Sequence, residues 1–201
     1  MSDNYITICT EKEVRNPKEL SFKVLKWLQE KEYVDTEKSN CILSMKELGY
    51  KPGQNHVEAI GVDDDITRWS TNGLEVKTER QVFDAMAFTA YSEMNCPKCG
   101  KNRFEGITAA KFHMEQCSSE ELERFSTVFK EFDKWVNHQE AKLTCHHCTE
   151  VSTLEEYAIV GNISLSNLGF TFWNWPQIKP EVINQMESIT NSKLKVIQGH
   201  I

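Results

Sequence analysis

The stretch YITICTEKEVRNPKELSFKVLKWLQE, residues 5–30, decides the fold class. Tyr5 to Cys9 alternates and is rich in β-branched residues, which predicts a strand. Asn16 then stands as an N-cap, with Pro17 at the first helical position and Glu19 placed to reach back to the cap. Leu20, Val24, Trp27 and Leu28 fall on one face of the resulting helix, through about Glu30, and that face is expected to pack on a sheet. The far end of the chain repeats the pattern. Ile163 to Trp173 reads as a strand and Pro180 to Ile189 as a helix with Val182, Ile183, Met186 and Ile189 inward, and Leu194 to Gln198 reads as a last strand. Strand, helix and strand at both ends predict an α+β fold, a mixed or antiparallel sheet with packed helices.

Between these ends, Cys41 to Met45, Val57 to Val62 and Leu74 to Val82 read as further strands, and Gly49-Tyr50-Lys51-Pro52-Gly53 carries turn chemistry. Asp63, Asp64 and Asp65 lack the spacing and glycine of a calcium loop, so they read as part of a solvated loop reaching Gly73. The character changes at about Met94. From there to Glu150 a cysteine pair stands at each edge of a helical stretch. Ser118 and Glu121 form a capping box ahead of Leu122, Phe125, Phe129, Phe132 and Val136, an amphipathic helix of about five turns whose apolar stripe faces the core. The expected organisation is therefore an N-terminal α+β part (1–93), an insertion with the long helix (94–150), and a C-terminal β-α-β part (151–201) completing the first. Two such halves flanking an insertion resemble the ferredoxin-like arrangement.

Cys96-Pro97-Lys98-Cys99 and Cys145-His146-His147-Cys148 supply the four thiolates of a tetrahedral structural metal site. Two residues between cysteines allow a tight turn that brings both sulfurs to one side, with backbone N–H groups offsetting their charge. In the first pair Pro97 presets the turn, and Gly100 tolerates the conformation that follows. The second pair lacks both aids, and His146 or His147 is an alternative ligand. The expected ligands are Cys96, Cys99, Cys145 and Cys148, holding zinc, with iron the minority alternative because tetrahedral sulfur admits both. The segment resembles a zinc ribbon. It departs from the compact form in having 45 residues between Cys99 and Cys145, against roughly 15 to 20, which a helical insertion accounts for. Cys9, Cys41 and Cys117 are left as small buried hydrophobes.

Gly169-Phe170-Thr171-Phe172-Trp173-Asn174-Trp175-Pro176 concentrates aromatic area. Alternation puts Phe170, Phe172 and Asn174 on one face and Thr171, Trp173 and Trp175 on the other, so each side needs cover. A central strand covered on both sides is the structural reading; a recognition patch of Trp173, Asn174 and Trp175, joined by Trp69, is the functional one. With its cysteine pairs, this aromatic segment and the tail Lys195 to Ile201, the chain resembles an uncharacterised family of bacterial proteins. That resemblance implies a bacterial cytoplasmic origin and no particular activity.

The chain has 201 residues, of which 39% are hydrophobic and 10% aromatic, and a formal net charge of -7. This is enough apolar material for a core, and the acidity works against sequence-independent binding to nucleic acid. No apolar run approaches the roughly 20 residues of a membrane span, and the N-terminus lacks signal-peptide character, so a cytoplasmic location is expected. Walker, G-x-S-x-G, H-E-x-x-H and zinc-deaminase patterns are absent. The expected function is a zinc-stabilised, non-enzymatic protein-interaction module, in one form an immunity-type inhibitor of a basic partner. A nucleic-acid-binding ribbon, with a basic face near Lys98, Lys101, Arg103 and Lys111, is the first alternative. A metal-dependent enzyme using His113, His138, His146 or His147 is the second.

Overall fold

The computed structural model describes residues 3–44, 46–62, 65–85, 93–107, 111 and 116–201. The chain divides into two compact units, one combining the residues up to Glu79 with Ser166–Ile201, the other spanning Arg80–Leu165.

The first unit is an α+β structure on a six-stranded sheet. Its strands are β1 (Asn4–Thr10), β2 (Val34–Ser39), β3 (Gly49–Pro52), β4 (Leu74–Lys77), β11 (Gly169–Trp173) and β12 (Leu194–His200), in the order β12-β1-β11-β4-β3-β2. Every neighbouring pair is antiparallel. The last strand lies outside the first, with β11 on the other side of β1, which is the interlocking that two split β-α-β halves require. A meander, β2-β3-β4, widens the position next to β11.

The register explains the core. Ile8 faces Phe170 and Ile6 faces Phe172 across β1 and β11, while Phe170 and Phe172 face Val76 and Leu74 of β4. These side chains share one cluster with Val24 and Leu28 of helix α1 (Pro17–Glu30) and with Val182 and Met186 of the C-terminal helix, Pro180–Thr190. Asn16 occupies the N-cap of α1 but adopts a left-handed backbone and makes no side-chain cap bond. Glu19 reaches forward to Lys23, at 2.6 Å, and the helix start relies on Pro17.

Several expected strands fall elsewhere. Cys41 to Ser44 is irregular, its anchor being the Cys41 carbonyl, which accepts N–H bonds from Asn72 (2.9 Å) and Gly73 (2.7 Å). The strand is the polar segment just upstream, β2, an edge whose exposed Asp35 to Lys38 hide its periodicity. Val57 to Val62 is not a strand. His56–Ile60 forms the short helix α2, burying Ala59 and Ile60 and closing on Gly61 in the left-handed region at φ 72°. The apolar residues there serve two sides of a single helical turn and one exposed flank, which a period-two reading cannot separate from a strand. Asp65 caps a 3-10 turn, accepting the Thr67 N–H at 3.1 Å; Asp63 and Asp64 lie outside the described residues.

The second unit contains β5 (Gln81–Asp84), β6 (Glu93–Asn95), β7 (Lys142–Thr144), β8 (Val151–Thr153), β9 (Ala158–Val160), β10 (Ile163–Ser166, whose last residue belongs to the first unit) and the long helix α3 (Ser119–Val136). The C-terminal helix is accordingly α4. The stretches Leu74–Val82 and Ile163–Trp173, each expected as one strand, are each broken in two. Strands β5 and β10 pair with each other, while β4 and β11 belong to the large sheet.

Helix α3 begins with a complete capping box. Ser118 Oγ accepts from the Glu121 N–H at 3.2 Å, and Glu121 accepts from the Ser118 N–H at 2.7 Å. Its buried stripe is Phe125, Val128, Phe132 and Trp135, packed with Met94, Phe104, Leu143 and Leu154. Leu122 and Phe129, expected on that stripe, are instead exposed. The indole of Trp135 donates to Glu155 at 2.9 Å beneath the Arg80 guanidinium, 4.8 Å from the ring centroid. Among the described residues, no helix is long and apolar enough to cross a membrane.

Candidate metal centre

Two hairpins carry the cysteines, and they are built alike. Asn95 and Asn102 form a bridge around Cys96–Gly100, while Thr144 and Val151 pair around Cys145–Thr149. In the first, Cys96 N–H donates to the Lys101 carbonyl (3.0 Å), Gly100 N–H to the Cys96 carbonyl (2.9 Å) and Lys98 N–H to the Cys96 sulfur (3.4 Å). The second repeats each bond 49 residues on: Cys145 to Glu150 (2.9 Å), Thr149 to Cys145 (2.9 Å) and His147 N–H to the Cys145 sulfur (3.4 Å). Gly100 and Thr149 close the two turns in the left-handed region, at φ 72° and 63°. The second knuckle therefore has the conformation of the first without its proline or its glycine.

The four sulfurs of Cys96, Cys99, Cys145 and Cys148 lie within 4.8 Å of one another. Cys96 and Cys148 are 3.9 Å apart and Cys99 and Cys145 3.8 Å. A tetrahedral ion with metal–sulfur bonds of about 2.3 Å requires sulfurs about 3.8 Å apart, so the donor set fits such an ion. The four-cysteine cluster is able to bind a metal. Ring nitrogens of His146 and His147 are not part of it.

The crowded sulfurs shift one another's ionisation in opposite directions. Burial lifts the Cys96 thiol, but the N–H groups of Cys99 and Lys98 and the sulfurs of Cys145 and Cys99 outweigh it and bring the thiol down to about 7. At Cys148 the Glu150 N–H pulls the thiol down, yet burial and the other three sulfurs outweigh it and lift the thiol to about 12. Four sulfurs this close resist ionising together unless a cation joins them.

Two contacts link the knuckles directly, and the spacing of the cysteines gives no sign of them. Arg103, just after the first knuckle and only 6% exposed, donates to the Thr144 carbonyl at 2.8 Å. Nε2 of His147, in the second knuckle, lies 3.3 Å from the Asn102 carbonyl. The His146 and His147 rings lie with centroids 3.8 Å apart, tilted by 40° to each other. Burial first, then Arg124, His147 and Arg103, hold His146 down at about 4, so its ring is neutral near pH 7.

Other residues singled out in the sequence are placed as follows. Trp173 and Trp175 are buried, at 7% and 3% exposure. Asn174 stands between them at φ 54°, which breaks the alternation and turns Trp175 to the side of Phe172, 5.1 Å away between centroids. The Trp173 indole donates to Glu75 at 3.0 Å and the Trp175 indole to the Asn72 carbonyl. Asn174 donates to Asp3 (2.6 Å) and the Thr71 carbonyl (2.7 Å) and accepts from the Asn4 N–H at 2.7 Å. Of these four candidates only Trp69 is exposed, at 40%, with Arg68 over its ring. Among the basic residues, Lys98 and Lys101 are exposed, Arg103 is interior, and Lys111 is paired with Glu121. His138 is exposed just past α3, and His113 lies outside the described residues. Cys9 and Cys41 are buried and Cys117 half-buried.

Compared with protein-family models, curated proteins and solved structures, the chain matches none. The case for a metal site thus rests on this chain's own spacing and geometry.

Proposed function

We propose that the unit Arg80–Leu165 is a zinc ribbon with a helical insertion, and that the protein is a zinc-stabilised, non-enzymatic module that binds a protein partner. The observation that carries this reading is the closed donor set: four sulfurs, two of them buried, at tetrahedral separation. Four protein ligands leave a zinc ion no position for water or substrate, which is the arrangement of structural sites. Held by these four cysteines, zinc would neutralise the thiolates and join two hairpins, with no open position for Lewis-acid chemistry on a substrate. Cys96 and Cys145 would hold it from the interior and Cys99 and Cys148 from the outer side. The net charge of -7 supports a cationic partner drawn in by long-range attraction, as in an immunity-type inhibitor of a basic toxin.

Metal analysis of the purified protein tests the first half of the reading. It should give about one zinc per chain, and visible thiolate-to-iron absorption would replace zinc by iron. Less than about half an equivalent of either metal, with every cysteine titrating as a free thiol, would overturn it. For the second half, association with a basic partner should slow as salt is raised, with little change in dissociation.

A further inference from the structure

In the sheet unit, a groove of about 530 Å³ opens between α1 and the meander strands β3 and β4. Phe22 of α1, Leu48 ahead of β3, Tyr50 of β3 and Val76 of β4 line it. Phe22 is 65% exposed and Leu48 51%, so two large apolar side chains stand in water where nothing among the described residues covers them. The volume lies within the roughly 300–1,000 Å³ of small-ligand sites.

Charge at the groove runs against the charge of the chain. Lys38 and Lys46 both line it, and the Lys38 ammonium sits 5.5 Å from the centre of the Tyr50 ring. Neither lysine has a carboxylate partner among the described residues. Two acids, Glu47 and Glu75, line the groove as well, and Lys77 engages both, at 2.7 Å from Glu75, while Lys18 of the lining is held by Glu79 at 3.3 Å. An apolar floor therefore lies beside two ammonium groups without a carboxylate partner among the described residues, the two lining carboxylates being held by Lys77.

We propose that this groove binds a small amphipathic carboxylate, its hydrocarbon body lying on Phe22, Leu48, Tyr50 and Val76 and its carboxylate held by Lys38 and Lys46. A hydrocarbon chain gains by leaving water for the exposed rings, and the carboxylate gains charge-assisted hydrogen bonds. The inference goes beyond the metal reading and does not rest on it, since none of these residues belongs to the cysteine-bearing unit.

Calorimetric titration of the full-length protein with decanoate, below its micellar concentration, tests the proposal. Saturable binding of one decanoate per chain is expected, with decyltrimethylammonium showing none. Lys38→Glu with Lys46→Glu should weaken decanoate by roughly tenfold or more, and Phe22→Ser should weaken it as well. Lys46→Glu alone, in an exposed loop, keeps the test valid if the double variant unfolds. Four results would overturn the proposal: no saturable heat with decanoate; equal binding of the cationic probe; affinity unchanged by Lys46→Glu; or self-association of the wild type that Phe22→Ser abolishes, which would give the groove to a second copy. Metal content measured on the same samples keeps failure here distinct from failure of the zinc reading.

Discussion

The two knuckles have the same backbone and different side chains. Cys96-Pro97-Lys98-Cys99-Gly100 is written in residues that favour its turn, whereas Cys145-His146-His147-Cys148-Thr149 reaches the same bonds with none of them. In both, the first cysteine is buried and the second lies further out. The difference teaches that hairpin pairing and the convergence of four sulfurs can impose a turn that local propensity does not supply. A β-branched threonine in the left-handed region is the strain that this leaves behind.

The largest effect should come from the ligands themselves. Cys96→Ser and Cys145→Ser should each release the metal and leave a hydroxyl in an apolar cluster. Cys99→Ser and Cys148→Ser release the metal without that added burial, so their melting temperatures should fall less, the gap being about 1–3 kcal/mol. Equal losses at all four positions would break the inner-and-outer pattern.

Next are the cross-links. Arg103→Met removes a buried donor and orphans the Thr144 carbonyl, and should cost about 1–3 kcal/mol in denaturant titration. His147→Ala loses a longer contact at a half-exposed residue and should cost less. If His147→Ala proved the more damaging, the first knuckle would not be the one that braces the second.

Smaller again are the turn-closing residues. A Cβ at Gly100 would meet nothing within 4 Å, so Gly100→Ala tests backbone conformation alone and should cost about 1 kcal/mol. Thr149→Gly should gain stability of similar size, about 0.5–1 kcal/mol, by relieving the same conformation. Opposite signs from the two variants would sharpen the comparison, while a loss at Thr149→Gly would end it.

The smallest concerns the helix between the knuckles. Lys111 first, then the Ser118 N–H and hydroxyl, hold the Glu121 carboxyl down at about 2, below its ordinary value of 4.5. A lowered carboxyl stabilises the fold above 4.5, and that contribution is lost as pH falls from 4.5 toward 2. Carbon-detected NMR titration should show the depressed midpoint, and Glu121→Gln should flatten the acid limb of α3 unfolding.

How much of this was legible depended on whether side chains or partners set the geometry. The cysteine spacing, the capping box of Ser118 and Glu121, and the proline start of α1 are written within a few residues, and the structure bears each out. The edge strand β2 was invisible because its exposed residues, Asp35 to Lys38, need no hydrophobic alternation. Helix α2 has only five residues, too little length for its period to be told from a strand's. The orientation of Trp175 hung on the single backbone angle at Asn174, and the Arg103 brace on a carbonyl 41 residues away. Neither leaves a trace in local pattern.

One consequence concerns how such a module is free to grow. Closing a flexible loop becomes more expensive only with the logarithm of its length, so stretching the intervening segment from a compact ribbon's roughly 18 residues to 45 adds only about 0.8 kcal/mol. A four-cysteine site can therefore tolerate a cassette of almost any size between its two pairs. What fixes the length here is α3 and its own packing, and a natural or engineered variant could exchange that cassette while keeping the clasp.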